Sequence, residues 1–172
     1  TLAMCYRRQL SKDSVLLRNI ISSLGDGYEL NDFYFVFGLL VKDNPVVQDL
    51  YLGLVDDPSR RQSALNTLAT TIPGDLRVAK LLELYWDDPD ANVRQAVYAG
   101  AMMLAKDSSV WKERLVALLE GGDLAARHCI LNSIGSLVKS DPLLRDCVFG
   151  LLGDGDSSVV HAAMQALGHL KQ

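Results

Sequence analysis

Apolar residues along this chain fall into short blocks divided by breaks rich in Asp, Gly and Pro. Within the blocks they recur at steps of three and four, the spacing of one helix face. Four segments align without gaps: DPSRRQSALNTLA from Asp57, DANVRQAVYAGAM from Asp90, DLAARHCILNSIG from Asp123 and DSSVVHAAMQALG from Asp156, a period of 33 residues. Arg61, Arg94 and Arg127 share one column, where the fourth copy has Val160. Ala64, Val97, Ile130 and Ala163 share a second column, and Leu68, Ala101, Ile134 and Leu167 a third. A fixed period of this length marks a supersecondary unit that cannot bury its apolar face alone and relies on its neighbours to cover it.

Each unit reads as two helices. The first is predicted at 46–55, 76–86, 110–119 and 143–152. Leu82, Leu115 and Val148 are equivalent there, as are Tyr85, Leu118 and Leu151. The breaks that follow carry Asp-Asp-Pro, Asp-Asp-Pro-Asp, Gly-Gly-Asp or Gly-Asp-Gly-Asp. Gly and Pro end the first helix, and the Asp can cap the second. The second helices are expected to run to about Thr70, Ala105, Val138 and Leu170. Residues 12–43 read as one more, degenerate copy: Val15, Leu16, Ile20 and Leu24 on a first helix, Asp26 at the turn, and a second helix over 31–42. Tyr28, Phe33, Tyr34, Phe35 and Phe37 concentrate aromatics there. Residues 1–10 predict a further short helix. The chain thus divides into N-terminal capping helices with a degenerate repeat (1–43) and four repeats (44–172), since a terminal repeat is expected to depart from the pattern.

The second-helix motif resembles that of HEAT repeats, of the short variety found in phycobilisome-lyase-type proteins, which runs roughly Asp-x-x-Val-Arg-x-x-Ala-Ala-x-Ala-Leu-Gly. Asp90, Val93 and Arg94 match it, as do Asp156, Val159, Ala163, Ala166, Leu167 and Gly168. Asp123, Ala126, Arg127 and Gly135 match in part, and Asp57, Arg61, Ala64 and Leu68 more loosely. The resemblance covers 44–172 well and 12–43 weakly. It implies an all-α fold: an α-solenoid of about four to five antiparallel helix pairs stacked into a right-handed superhelix, with a concave face made by the second helices. Ankyrin repeats share the period, but their Thr-Pro-Leu-His-type turn is absent. In such stacks Asp57, Arg61, Asp90, Arg94, Asp123, Arg127 and Asp156 would form a structural Asp–Arg ladder at the turns rather than acid/base pairs or phosphate clamps. The column Ala69, Met102, Gly135 and Gly168 is consistent with close approach of neighbouring helices.

Opposite the core stripe, each second helix carries residues at steps of four: Gln62, Asn66 and Thr70; Gln95, Ala99 and Met103; His128, Asn132 and Ser136; His161, Gln165 and His169. None of them is Lys, Arg, Asp or Glu. A neutral polar strip suits hydrogen bonding to a protein or peptide. It does not suit a phosphate backbone, which needs cations. The expected partner-binding residues are therefore Gln62, Asn66, Gln95, Ala99, His128, Asn132, His161, Gln165 and His169.

Composition adds exclusions. Seventeen Lys and Arg against 21 Asp and Glu give a net charge of −4, which disfavours a nucleic-acid partner. The apolar runs Phe33–Val41 and Ala96–Ala105 are well short of the roughly 20 residues of a membrane span. No signal-peptide pattern is read at Thr1, where the given sequence opens without Met, so a fragment is one reading. Cys5, Cys129 and Cys147 include no CxxC pair, so neither a disulfide framework nor a zinc site is indicated and a cytoplasmic setting is expected. Cys129 is expected to point towards the core. His128 and His161 share a column, yet no Asp, Glu, His or Cys stands three or four residues from either to complete a metal site. In a calcium-loop count from Asp154 the twelfth position is Gln165, where a Glu is needed. No phosphate-binding, zinc-protease or nucleophile-elbow motif occurs. No catalytic residue, metal or cofactor is assigned.

The reading is a non-catalytic interaction scaffold. Two alternatives stand beside it: a chromophore-lyase-type enzyme or subunit acting with a partner chain, which only the family resemblance suggests, and a structural segment of a larger solenoid. The C-terminal helix over 157–172 carries apolar residues on two faces, with Val159, Ala163, Ala166 and Leu170 on one and Val160, Met164 and Leu167 on the other. Self-association through it is a further expectation.

Overall fold

The computed structural model describes residues 40–168, together with Val15, Asn19, Gly38 and Leu170. Most of the expected N-terminal cap and degenerate repeat, and His169, lie outside the described residues. Of that region, Leu40 and Val41 are buried in the core.

The described residues are helical and contain no strand. The first pair is α1 (Pro45–Leu54) and α2 (Arg61–Thr71), the second α3 (Leu76–Leu84) and α4 (Ala91–Leu104). The third begins with α5 (Ser109–Gly121), followed by α6 (Leu124–Leu131) and α7 (Gly135–Ser140). The last is α8 (Pro142–Gly150), a 3-10 turn at Leu151–Gly153 and α9 (Ser157–Gly168). Caps set most of these starts. Asn44, Asp75, Asp90, Asp123 and Asp141 each accept a hydrogen bond from a backbone N–H of the helix they precede. These side chains satisfy donors that a helix start leaves unpaired. Pro45 and Pro142 open their helices at a position where no N–H is missed. At Gly122 an added Cβ would run into the Leu118 carbonyl, which explains a glycine at the end of α5.

One helix departs from expectation. The third second helix was predicted unbroken to Val138, but it breaks at 132–134. There Ser133 N–H bonds the Ile130 carbonyl, three residues back, instead of four (3.0 Å). Asn132, Ser133 and Gly135 are weak helix formers, and a tight turn replaces the α-helical ladder at their junction.

The second helices pack in series: α2 on α4, α4 on α6, and both α6 and α7 on α9. Of the first helices, α5 packs on α8. Ion pairs join others: Arg77 of α3 reaches Asp49 of α1 (3.2 Å), and Arg114 of α5 reaches Glu83 of α3 (3.5 Å). The apolar columns of the sequence fill one continuous core. Ala64, Val97, Ile130 and Ala163 are all buried, as are Leu82, Leu115 and Val148. Trp86 meets Tyr98 edge-on (5.3 Å) and Trp111 at a tilt (5.8 Å), with the Arg114 guanidinium over both indoles. Among the described residues no helix is long and apolar enough to cross a membrane.

Helix approach is tight at Gly100, against Ala69 of the column Ala69, Met102, Gly135 and Gly168, and open at the last member of that column. A Cβ built at Gly100 would stand 2.7 Å from Ala69 Cβ and 2.8 Å from Leu82 Cδ1. Gly168 is exposed, with nothing within 4 Å of such a Cβ.

Candidate functional site

Two sets of residues drew attention in the sequence: the Asp and Arg columns, and the uncharged strip. The structure gives them different surroundings.

The arginines do cross from unit to unit, but their partners differ from the columns. Arg61 Nη1 lies 3.6 Å from Asp88 Oδ2, and Arg127 Nη2 bonds Asp154 Oδ2. Only Arg94 meets a column aspartate, Asp123, at 3.8 Å. Asp57, Asp90 and Asp156 act as turn and cap residues instead. Asp57 accepts from the Ser59 backbone and hydroxyl and pairs with Arg60 (3.4 Å). Asp90 accepts from Asn92 N–H, and Asp156 from the Ser158 backbone and hydroxyl. The physical reason is reach. The Asp-x-Asp turns place a second carboxylate two residues before the column, at Asp88 and Asp154, and the incoming arginine meets that one. The third turn has Gly121 there, so Arg94 goes on to Asp123. Each arginine also binds a backbone carbonyl: Arg61 that of Val55 at the end of α1 (3.0 Å), Arg127 that of Leu119 near the end of α5 (2.9 Å) and Arg94 that of Asp88 in the loop before α4 (2.7 Å). The first two satisfy acceptors that a helix end leaves open.

Asp88 is the most enclosed of these carboxylates, with 8% of its surface exposed. Its Oδ1 accepts from Asp90 N–H at 2.8 Å while Oδ2 faces Arg61. At Asp154 the backbone N–H of Asp156, and then Arg127, hold the carboxyl below its ordinary range. Lys112 does the same to Asp141, with Nζ 2.6 Å from Oδ2. These carboxylates and arginines are thus engaged with one another or with the backbone at the turns between helices.

The strip behaves otherwise. Gln62, Asn66, Gln95, Asn132, His161 and Gln165 are exposed, while Ala99 and His128 are half-buried. His128 Nε2 lies 2.8 Å from Ser158 Oγ, which also donates to Asp156, so the ring is tied to the start of α9. His161 Nε2 faces Gln165 Nε2 at 3.0 Å one turn along the same helix. The amide nitrogen can only donate, so that imidazole nitrogen accepts. No group of three metal-ligating side chains occurs among the described residues.

Two clefts open between α4 and the α6–α7 segment. One, of about 260 Å³, is lined by Asn92, Gln95, Tyr98, Cys129 and Asn132, among others. The other, of about 230 Å³, is lined by Ala99, Met102, Met103, Lys106, Ser136 and Leu137, among others. The structure thus brings Gln95, Ala99 and Asn132 to these clefts, and leaves Gln62, Asn66, His161 and Gln165 outside them. Cys129, expected to point towards the core, is half-buried: it packs against the core and also lines a cleft, and burial pushes its thiol up. The sequence reading missed Asn92, Tyr98 and Lys106. A signal existed for Lys106, since Lys139 stands one period later at the end of α7. Both clefts fall below the roughly 300–1,000 Å³ of small-molecule pockets. Comparison of the chain with protein-family models, with curated proteins and with solved structures finds no match in any of the three.

Proposed function

We propose that this chain is an α-solenoid of HEAT-like repeats that works as a non-catalytic scaffold, presenting the uncharged face of its second helices to a protein or peptide. The observation that carries this reading is the strip itself. Gln62, Asn66, Gln95, His161 and Gln165 are exposed on helices that pack in series, Asn132 is exposed at the end of one, and none bears a charge. Exposed helix faces elsewhere on the chain carry ions, as at Asp49, Arg77 and Glu83. Amide and imidazole side chains exchange hydrogen bonds with water for hydrogen bonds with a partner, without the large desolvation cost of a charge. A groove whose walls are packed helices also holds its donors in place before a partner arrives, which limits the ordering cost of binding.

A photo-crosslinking amino acid placed at Asn132 or Gln95, in the whole chain expressed in cells, tests this. Adducts with a second polypeptide are expected from both positions and not from Lys80, an exposed residue of α3. Adducts from Lys80 alone, or from none of the three, would refute the reading.

A further inference from the structure

The two clefts between α4 and α6–α7 differ in chemistry along their length. The first carries amides, Asn92, Gln95 and Asn132. The second carries apolar side chains, Met102, Met103 and Leu137, and ends at Lys106. The chain has 21 carboxylates in 172 residues and a net charge of −4. Among the described residues no carboxylate lines either cleft. Two cations do. Arg94 is engaged by Asp123 and by the Asp88 and Pro89 carbonyls. Lys106 is exposed and pairs with no carboxylate among the described residues. Lys139, its equivalent one period on, is exposed and without an ion pair in the same sense.

On this basis we infer that the groove takes a linear peptide segment in which an apolar side chain is followed by a carboxylate, with the carboxylate at Lys106. This deepens the scaffold reading and rests on it. The amides of the first cleft bond the peptide backbone, which gives affinity without sequence preference. The methionines receive the apolar side chain, and their unbranched, polarizable thioethers adapt to its shape. Among the described residues of the walls Lys106 supplies the one charge without an ion pair, so an acidic neighbour is attracted and a basic one repelled. The small volume of each cleft fits single side chains rather than an enclosed metabolite.

A phage-displayed library of random twelve-residue peptides, selected on the whole immobilised chain, tests this. Enriched clones should place Asp or Glu beside a large apolar residue. A synthetic peptide from such a clone should lose about tenfold or more in affinity on Lys106→Glu, and should weaken with added salt. Lys80→Glu, outside both clefts, should leave it unchanged. Peptides that lose binding on Asn132→Arg but show no acidic preference, or ignore Lys106→Glu, would overturn this inference and leave the groove reading standing. A selection yielding no peptide sensitive to Asn132→Arg would overturn both.

Discussion

Gly100→Ala adds one methyl group where α4 packs tightly on α2 and α3, and its effect follows from the contacts there. The new Cβ would lie 2.7 Å from Ala69 Cβ and 2.8 Å from Leu82 Cδ1. Carbon atoms prefer roughly 3.5–4.0 Å, so the gap must widen by about 1 Å. Leu82 is fully buried and has little room to turn aside, and Ala69 Cβ is fixed to its helix backbone. The helices must therefore separate or the backbone shift, at a cost of about 1–3 kcal/mol. Helix propensity works the other way, since Ala is favoured over Gly by about 1 kcal/mol in a helix interior. Gly150→Ala separates the two terms. Gly150 is helical (φ −57, ψ −35) and a Cβ there meets nothing within 4 Å. It should gain a few tenths to about 1 kcal/mol. Urea unfolding followed by far-ultraviolet circular dichroism and by Trp86 and Trp111 fluorescence measures both. The Gly100→Ala midpoint should fall below that of Gly150→Ala by roughly 0.5–1 M. In the cycle with Ala69→Gly, the double variant should be less destabilised than the two single changes add up to, by about 0.5 kcal/mol or more. A Gly100→Ala protein as stable as Gly150→Ala, with no coupling to Ala69, would refute the close-contact argument.

Leu131 and Met164 share a column but not an environment, at 1% and 60% exposure. Leu131→Ala should cost about 2–5 kcal/mol and Met164→Ala within about 0.5 kcal/mol, by the same unfolding assay; equal costs would show that burial does not decide the cost at this column. Asp57, Asp75, Asp141, Asp154 and Asp156 all have carboxyls held below their ordinary range by the hydrogen bonds and cations around them. A carboxyl with a lower pKa folded than unfolded contributes stability above its unfolded value, near 4, and loses it as pH falls through the folded value. The urea midpoint should thus drop between pH 5 and pH 2.5; a midpoint that stays level or rises would contradict this. Burial, with help from Glu120, pushes the Cys147 thiol up to about 11. Its alkylation by iodoacetamide, read by peptide mass spectrometry, should be slow at pH 7.5 and quicken about tenfold per pH unit up to pH 10; fast labelling at neutral pH would show a thiol less buried than described.

Repetition made much of the architecture legible in the sequence. Columns of Ala, Val, Ile and Leu at a fixed period required buried helix faces, and Ala64, Val97, Ile130 and Ala163 are buried. Asp before an apolar run predicted caps, and Asp90 and Asp123 cap. The charge-free strip was visible because four-residue steps keep one face of a helix together. His161 and Gln165 could be placed there without knowing what packs behind them. That information is local, or repeats with the unit.

What the tertiary structure decided depends on distances between units. Sequence columns paired each arginine with an aspartate of its own kind, but side-chain reach across a turn selected Asp88 and Asp154 instead. Gly100 looked like any helix glycine until α2 was placed against it. Lys106 and Met103 became one cleft only when the α6–α7 segment, with Ser136 and Leu137, was placed beside the end of α4. Period and polarity fix which face each residue takes, whereas contact across an interface depends on how far two helices stand apart, and no single helix carries that distance in its own residues.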